Sequence, residues 1–406
     1  MKKNRKQKTV TEIEINNKHP RIRMFIVVTL AVIGVAALTY AAVSYFRGDS
    51  GWHTIELSSG SDATLSDEVR VEYCLGAEGR TAYAERRELI SIYSDALWYA
   101  EKLFDCKTGY IDLNNMFYIN NHINEVIEVP EYLYNIFALM EKYNDRHIYL
   151  GPLYGDYSSL MYSATDEEAA MYDPAYSESQ AEYVARIAAF ASDKDSVDIE
   201  LMSDNRIVLR VSEEYASYAA DMKIVNYIDF YWMRNAFVVD YVADALESAG
   251  YTNGFVISYD GYLRNLSGRG EEYAYQIVDR KGNEIRNVGT LLYTKPLSAV
   301  MFKNYGLNSG ETQHYYEYTD GTIRHVYVDV SDGRCKSSLN NLLVYSYQKS
   351  CGEMILASAN AYIADSFDVS ALDVNDMYHL YFDGTCLITN DDEIRLSDLK
   401  EGYTVK

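Results

Sequence analysis

Cysteine is scarce and scattered in this chain. Its five cysteines, Cys74, Cys106, Cys335, Cys351 and Cys386, are spread over 406 residues and form no C-x-x-C pair. That excludes zinc-ribbon and thioredoxin-type sites, and the odd count leaves at least one thiol unpaired in a monomer. Their ordinary role is that of small core residues. Positive charge is also in short supply: 37 Lys and Arg face 60 Asp and Glu, for a net charge of −23. Phosphate backbones are bound by clustered Lys and Arg, so nucleic acid is excluded as a partner. No Walker loop, G-x-G-x-x-G, H-E-x-x-H or G-x-S-x-G run occurs, which removes the enzyme classes built on those motifs. No repeat at a solenoid period is present. His53, His122, His147 and His379 are isolated and read as surface or core residues. Asp391-Asp392-Glu393 reads as a solvated turn.

Long apolar runs are absent with one exception. Met24 to Phe46 carries no charge over 23 residues, enough for a helix to cross a hydrocarbon core of roughly 30 Å. It exceeds the about 7–15 apolar residues of a cleaved signal peptide, the rival reading. Residues 1–23 hold Lys2, Lys3, Arg5, Lys6, Lys8, Lys18, Arg21 and Arg23, and acidic sequence follows the span. That asymmetry predicts a single-pass protein of the cell membrane, with a cytoplasmic tail and an extracytoplasmic body. The Ser/Gly/Asp-rich stretch 47–67 reads as a linker, and residues 68–406 as the body.

What the chain has in abundance is tyrosine, 40 residues. Tyr buries a ring and keeps its hydroxyl hydrated. The plain reading is a core and surface that use Tyr in place of Phe and Leu. A tyrosine-rich face for a peptide or glycan is the alternative.

Leu89, Tyr93, Ala96, Leu97, Ala100, Leu103 and Phe104 recur at helical spacing within 82–105. A helix starts at Pro130, a favoured first-turn residue. Another covers 177–192, where Ser177 and Gln180 have capping-box spacing. The runs DIELM and RIVLRV flank Ser203-Asp204-Asn205 as a hairpin. A helix from about Asn235 ends at Gly250 with a left-handed cap, and the strand GFVISYDGYL follows. A strand at 342–347, a helix over 351–365 and a hairpin at Asp383-Gly384 complete the pass. The mixture has no βαβ rhythm and predicts an α+β fold of antiparallel sheets with packed helices.

Asp320-Gly321 is a two-residue turn signal. A two-residue loop pairs Glu317 with Arg324 and Tyr316 with His325. It sets His314, Tyr316, His325, Tyr327 and Asp329 on one face, a set able to bind a metal or pass protons. A half-wet aromatic face is the structural alternative.

Around this hairpin the chain resembles the FAD:protein FMN transferases, the ApbE-like flavin transferases. Ser309-Gly310-Glu311, the Asp320-Gly321 turn, His325, Asp329 and Asp332-Gly333 follow the order of the family's T-S-G-D-Y and H-x-x-D-P-x-T-G runs. The stretch YLGPLYGDYSSL resembles the family's G-P-L segment. IDFYWMRNAFVVDYVADALESAGYTNGFVISYDGYL resembles its D-x-G-G-x-A-K-G run, helix and N-x-G-G strand end. The resemblance covers nearly all of 69–406 in order and pattern. It implies an ApbE-like, T-fold-like domain that binds FAD with Mg²⁺ and transfers FMN to a Thr or Ser of a partner. That partner would be a flavin acceptor or a membrane electron-transfer protein. It further implies His325 and Asp329 as catalytic residues, Ser309, Gly310, Glu311, Asp229 and Gly261 around the nucleotide, and Glu353 on the metal.

The departures from that pattern cluster at the chemistry. Tyr231 and Trp232 stand at the paired glycines, Asn235 at the lysine and Arg234 at an alanine. Ala357 stands at the metal threonine and Glu353 at the metal aspartate. His325 and Asp329 are one residue further apart than in the family run, and Val330 replaces its proline. The resemblance with these losses predicts lost or reduced catalysis. A non-catalytic binding or scaffold subunit of a membrane complex is the alternative role.

Overall fold

The computed structural model describes residues 24, 28–30, 32–40, 48–57, 68–77, 79–266, 272–282, 284–307, 314–374 and 376–406. The basic tail, much of the Met24–Phe46 span and Ser309, Gly310 and Glu311 lie outside them. Residues 32–40 are helical. Among the described residues no helix is long and apolar enough to cross a membrane.

A nine-stranded sheet organises the body. It uses β1 (Gly51–Ile55), β2 (Val69–Leu75), β6 (Gly254–Ser258), β7 (Tyr262–Asn265), β10 (Ser298–Lys303), β13 (Asn341–Ser346), β14 (Tyr378–Asp383), β15 (Cys386–Thr389) and β17 (Thr404–Val405), in that spatial order. Every pairing is antiparallel except β15 with β17. Both faces of its centre are covered, so β10 and β13 are buried at every position. Alternation sorts their side chains into two cores. Val300, Phe302, Leu342 and Val344 join the core beneath the helices. Ala299, Met301, Leu343 and Tyr345 join a second core. That second core is closed by a three-stranded sheet of β8 (Tyr273–Lys281), β9 (Glu284–Tyr293) and β16 (Arg395–Ser397).

The helical layer rests on α1 (Ala82–Phe104), α8 (Arg234–Ser248) and α9 (Cys351–Tyr362). All seven apolar positions expected to line α1 are buried. Thr81 caps it, accepting from Ala84 N–H at 3.3 Å. Gly250, at φ +85°, ends α8 in the left-handed conformation expected of it. Asp240 of α8 caps α9, accepting from the N–H groups of Cys351 at 3.0 Å and Gly352 at 2.7 Å.

Between α1 and α8 the chain builds α2 (Met116–Asn121), α3 (Glu131–Tyr143), α4 (Gly151–Met161), α5 (Asp166–Tyr172), α6 (Glu178–Ser192) and α7 (Glu213–Met222). It also builds a small sheet in which β5 (Arg206–Val211) lies between β3 (Ile127–Glu128) and β4 (Val197–Leu201). Asp204 and Asn205 take positive φ in the expected β4–β5 turn, and Ser177 caps α6.

Three expectations are corrected. The linker contains a strand: β1 pairs along β2, with Ile55 buried and Trp52 against Phe255. GFVISYDGYL is two strands, because Gly261 at φ +112° turns the chain back between β6 and β7. Asp391 is buried rather than solvated, and accepts from the Tyr345 hydroxyl at 2.6 Å.

Candidate functional site

The hairpin of β11 (Tyr315–Glu317) and β12 (Ile323–His325) has a three-residue loop. Tyr318 N–H donates to Thr322 O, and Gly321 takes φ +85°. Gly in the left-handed region after a tight turn is the signature of such a loop. The extra residue shifts the register by one and so exchanges the faces. Tyr315 opposes His325 and Tyr316 opposes Arg324, in place of the expected Tyr316–His325 and Glu317–Arg324 pairs.

One face of the hairpin docks on α5. The Tyr316 hydroxyl donates to Asp166 at 2.9 Å, the Tyr318 hydroxyl to Asp173 at 3.0 Å and Arg324 Nε to Asp173 at 2.7 Å. His325 is buried on the other face. Its Nδ1 accepts from Tyr327 N–H at 3.3 Å. Burial, aided by the charge of Arg324, pushes its imidazole down to about 3. Asp329 holds the following loop, accepting from Ser331 N–H and from Lys336 Nζ at 2.9 Å. His325 and Asp329 share no hydrogen-bond partner among the described residues.

Glu353 lies in the first turn of α9. Its Oε1 receives the Tyr143 hydroxyl at 2.6 Å, Lys349 Nζ at 2.9 Å and Lys142 Nζ at 3.0 Å. Burial alone would raise this carboxyl. The hydrogen bonds from Tyr143, Lys349 and Lys142 outweigh burial and hold it at about 2. Among the described residues no three His, Cys, Asp or Glu side chains converge as metal ligands.

The remaining expected residues meet where the turn before α8 faces the β6–β7 turn. Asp229 braces the first of these turns, accepting from Tyr231 N–H at 2.9 Å. Desolvation raises its carboxyl, opposed by that hydrogen bond and by Arg234. Tyr231 sits at φ +38°, in the region that favours glycine. Its ring stacks on Tyr154 at 4.8 Å. Trp232 is 2% exposed, edge-on to His147 and Tyr327. Gly261 is required sterically, since a Cβ there would lie 2.7 Å from Met301 O.

Two cavities flank this junction and share Glu68 and Tyr259 as walls. One, of about 160 Å³, is lined by Tyr231, Trp232, Arg234, Asn235, Asp260 and His314 among others. The other, of about 450 Å³, runs along Phe255, Ile257, Leu263, Met301 and Lys303 beneath β8. Around the smaller one, Asn235 Nδ2 donates to Glu68 at 3.1 Å and to Asp260 at 3.0 Å, and Arg234 pairs with Glu68. Burial, aided by Glu68 and opposed by the nearby Ser258 hydroxyl and the Asn235 amide, raises the Asp260 carboxyl to about 6. Tyr259 and His314 Nε2 are hydrogen-bonded at 2.7 Å, and burial lowers His314 to about 3.

Sequence reasoning named Asp229 and Gly261 here but not Glu68, Asp260 or Tyr259. The only sequence signal for Asp260 was its place in the Ser258–Gly261 strand end; Glu68 carries none. His147, read as isolated, is buried with its Nδ1 2.8 Å from Asp145.

No protein-family model matches the sequence, and no curated protein is significantly similar to it. The fold does match solved structures. The ApbE protein of Thermotoga maritima MSB8 superposes with a TM-score of 0.56 at 13% identity, over 86% of this chain and 97% of that one. A single-residue mutant of the flavin transferase ApbE from Vibrio cholerae superposes at 0.50 and 15% identity, over 85% and 97%. The chain therefore has the ApbE-like α+β fold, at low sequence identity.

Proposed function

We propose that this chain is a membrane-anchored, extracytoplasmic protein on the flavin-transferase fold whose FMN transfer is lost or reduced. Its working role is that of a binding or scaffold subunit beside a membrane electron-transfer or flavin-acceptor protein. The observation that carries the reading is the charge at the head of α8. FAD presents a diphosphate, which needs cations and close backbone approach. Asn235, at the resemblance's lysine position, donates instead to two carboxylates, Glu68 and Asp260.

The donor set fits neither FAD nor Mg²⁺. Arg234, the cation nearest that turn, is committed to Glu68. Tyr231 and Trp232 stand in the place of the two glycines, and the cavity they line, about 160 Å³, is below the roughly 300–1,000 Å³ of small-molecule sites; the adjoining cavity of about 450 Å³ has neither ring in its wall. Glu353 is held by two lysines and a tyrosine. Ala357 offers no side-chain oxygen, and the N–H groups of Cys351 and Gly352 at the start of α9 are taken by Asp240. The anchor rests on the uncharged 24–46 run and the basic residues before it.

The test is a flavin-fluorescence titration of the full chain in detergent micelles, with and without Mg²⁺. Mass spectrometry of a threonine-bearing acceptor for added FMN accompanies it. The expected result is no saturable FAD binding and no transfer. Magnesium-dependent binding with FMN on the acceptor would overturn the reading.

A further inference from the structure

The smaller cavity is closed to a dinucleotide, but its walls are not those of a packed core. Its wall carries the rings of Tyr162, Tyr231, Trp232 and Tyr259, two carboxylates, Glu68 and Asp260, and one guanidinium, Arg234. Three buried polar atoms on this wall have no hydrogen-bond partner: Asp260 Oδ1, the Tyr231 hydroxyl and Trp232 Nε1. Asp260 is 6% exposed; its other oxygen accepts from Asn235. Ser158 stands close enough to bear on the Tyr231 phenol, but not in hydrogen-bonding geometry.

We infer that this cavity binds a small organic cation, an ammonium group with at most short alkyl substituents, through Asp260 and the surrounding aromatic rings. Arg234 pairs with Glu68, and Asp260 keeps one carboxylate oxygen without a donor. A buried acceptor left unpaired is destabilising, and an ammonium N–H satisfies it. The negative faces of Tyr and Trp rings attract cations, and cages of such rings recognise alkylated ammonium groups. An anionic ligand meets Asp260 and Glu68 with the wrong sign. A divalent metal lacks ligands, because no set of three converges among the described residues. The volume of about 160 Å³ suits a compact cation better than a drug-sized ligand.

This inference rests on the reading that the nucleotide cradle is closed, and one experiment separates the two. Full chain is titrated with methylammonium and tetramethylammonium chloride, read by thermal midpoint and by calorimetry. Sodium chloride at equal ionic strength and tert-butanol, a neutral molecule of similar size, are the controls. The expected result is a saturable rise with at least one ammonium and none with the controls. Asp260→Asn, which keeps an acceptor for Asn235, should weaken binding by about tenfold or more. Tyr162→Ala removes a ring that is 62% exposed, so the fold tolerates it, and it should weaken binding several-fold.

No saturable effect of either ammonium overturns the inference and means that the cavity holds water only. Equal effects of tert-butanol, or unchanged affinity in a folded variant, overturn it too. FAD titrated into the same samples reports separately. Ammonium binding without flavin binding supports both readings. Flavin binding without ammonium binding overturns both. Absence of both overturns only the cation site.

Discussion

Asn235 donates its side-chain amide to Asp260 at 3.0 Å and so ties the first turn of α8 to the β6–β7 turn. The contact joins residues 25 apart in sequence and sets the sign of the local field. Where a phosphate-binding site presents cations, this junction presents carboxylates held in place by an amide.

Asp260 gives the first prediction. Its folded-state value of about 6 lies above the ordinary aspartate value of 3.8, so the folded protein holds a proton that the unfolded chain has released. Stability therefore falls as pH rises from about 4 to about 6 and then levels off. The groups bearing on this carboxyl are Glu68, Arg234, Lys303, His314, the Ser258 hydroxyl and the Asn235 amide. Asp260→Asn removes the charge without removing the acceptor. It should stabilise the protein at pH 8 by about 3 kcal/mol, with the gain vanishing below pH 4. Urea unfolding of both proteins at pH 4, 6 and 8 measures this. A variant less stable than the wild type at pH 8 would show that the carboxylate is compensated in place.

Glu353 gives the second. It follows the capping residue Ser350 by three positions, and its N–H donates to Ser350 Oγ at 3.2 Å. An acidic side chain there is favoured by the helix dipole. Its value of about 2 lies below the ordinary 4.5, so its contribution is complete above pH 4.5 and is lost as pH falls through 2. Lys142 is largely exposed, which reduces its share. Glu353→Gln should cost about 1–2 kcal/mol at pH 7. Adding Mg²⁺ should leave the melting midpoint of either protein unchanged. A magnesium-dependent rise in the wild type that the variant lacks would instead make Glu353 a metal ligand.

The sequence disclosed the fold more readily than the site, for local reasons. Ser177, Gly250 and the apolar face of α1 act within one or two turns, and each stands as its residue type implies. The order of helices, hairpins and near-motifs carried the resemblance that superposition at 13–15% identity supports. Register was illegible because one residue decides it. Asp320-Gly321 reads as a two-residue turn, yet Gly321 supplies the left-handed position of a three-residue loop and exchanges both faces. The cavity was illegible because its contacts are long-range. Glu68 reaches Asn235 across 167 residues, and nothing near Glu68 marks it. Glu353 was misleading in a different way: its residue type suits a metal, and only the fold brings Lys142 and Tyr143 onto its carboxylate.

Tyr231 gives the last prediction, because two effects of opposite sign meet there. At φ +38° a non-glycine residue carries strain of order 1–3 kcal/mol, which glycine relieves. Against that, its ring stacks on buried Tyr154 and lines the cavity with Trp232. Removing a fully buried aromatic ring costs about 3–5 kcal/mol when the site cannot collapse, and the partly buried Tyr231 ring sits at the low end. Packing outweighs strain, so Tyr231→Gly should destabilise the protein by about 2 kcal/mol. Tyr231→Ala, which keeps the strain and loses the ring, should be worse by roughly 1 kcal/mol. Denaturant unfolding of the two variants beside the wild type separates the contributions. Neither variant should bind FAD, since Glu68 and Asp260 remain. Tyr231→Gly more stable than the wild type would mean that backbone strain outweighs the stacked ring. FAD binding by that variant would mean that the Tyr231 ring, and not Glu68 and Asp260, decides whether flavin binds.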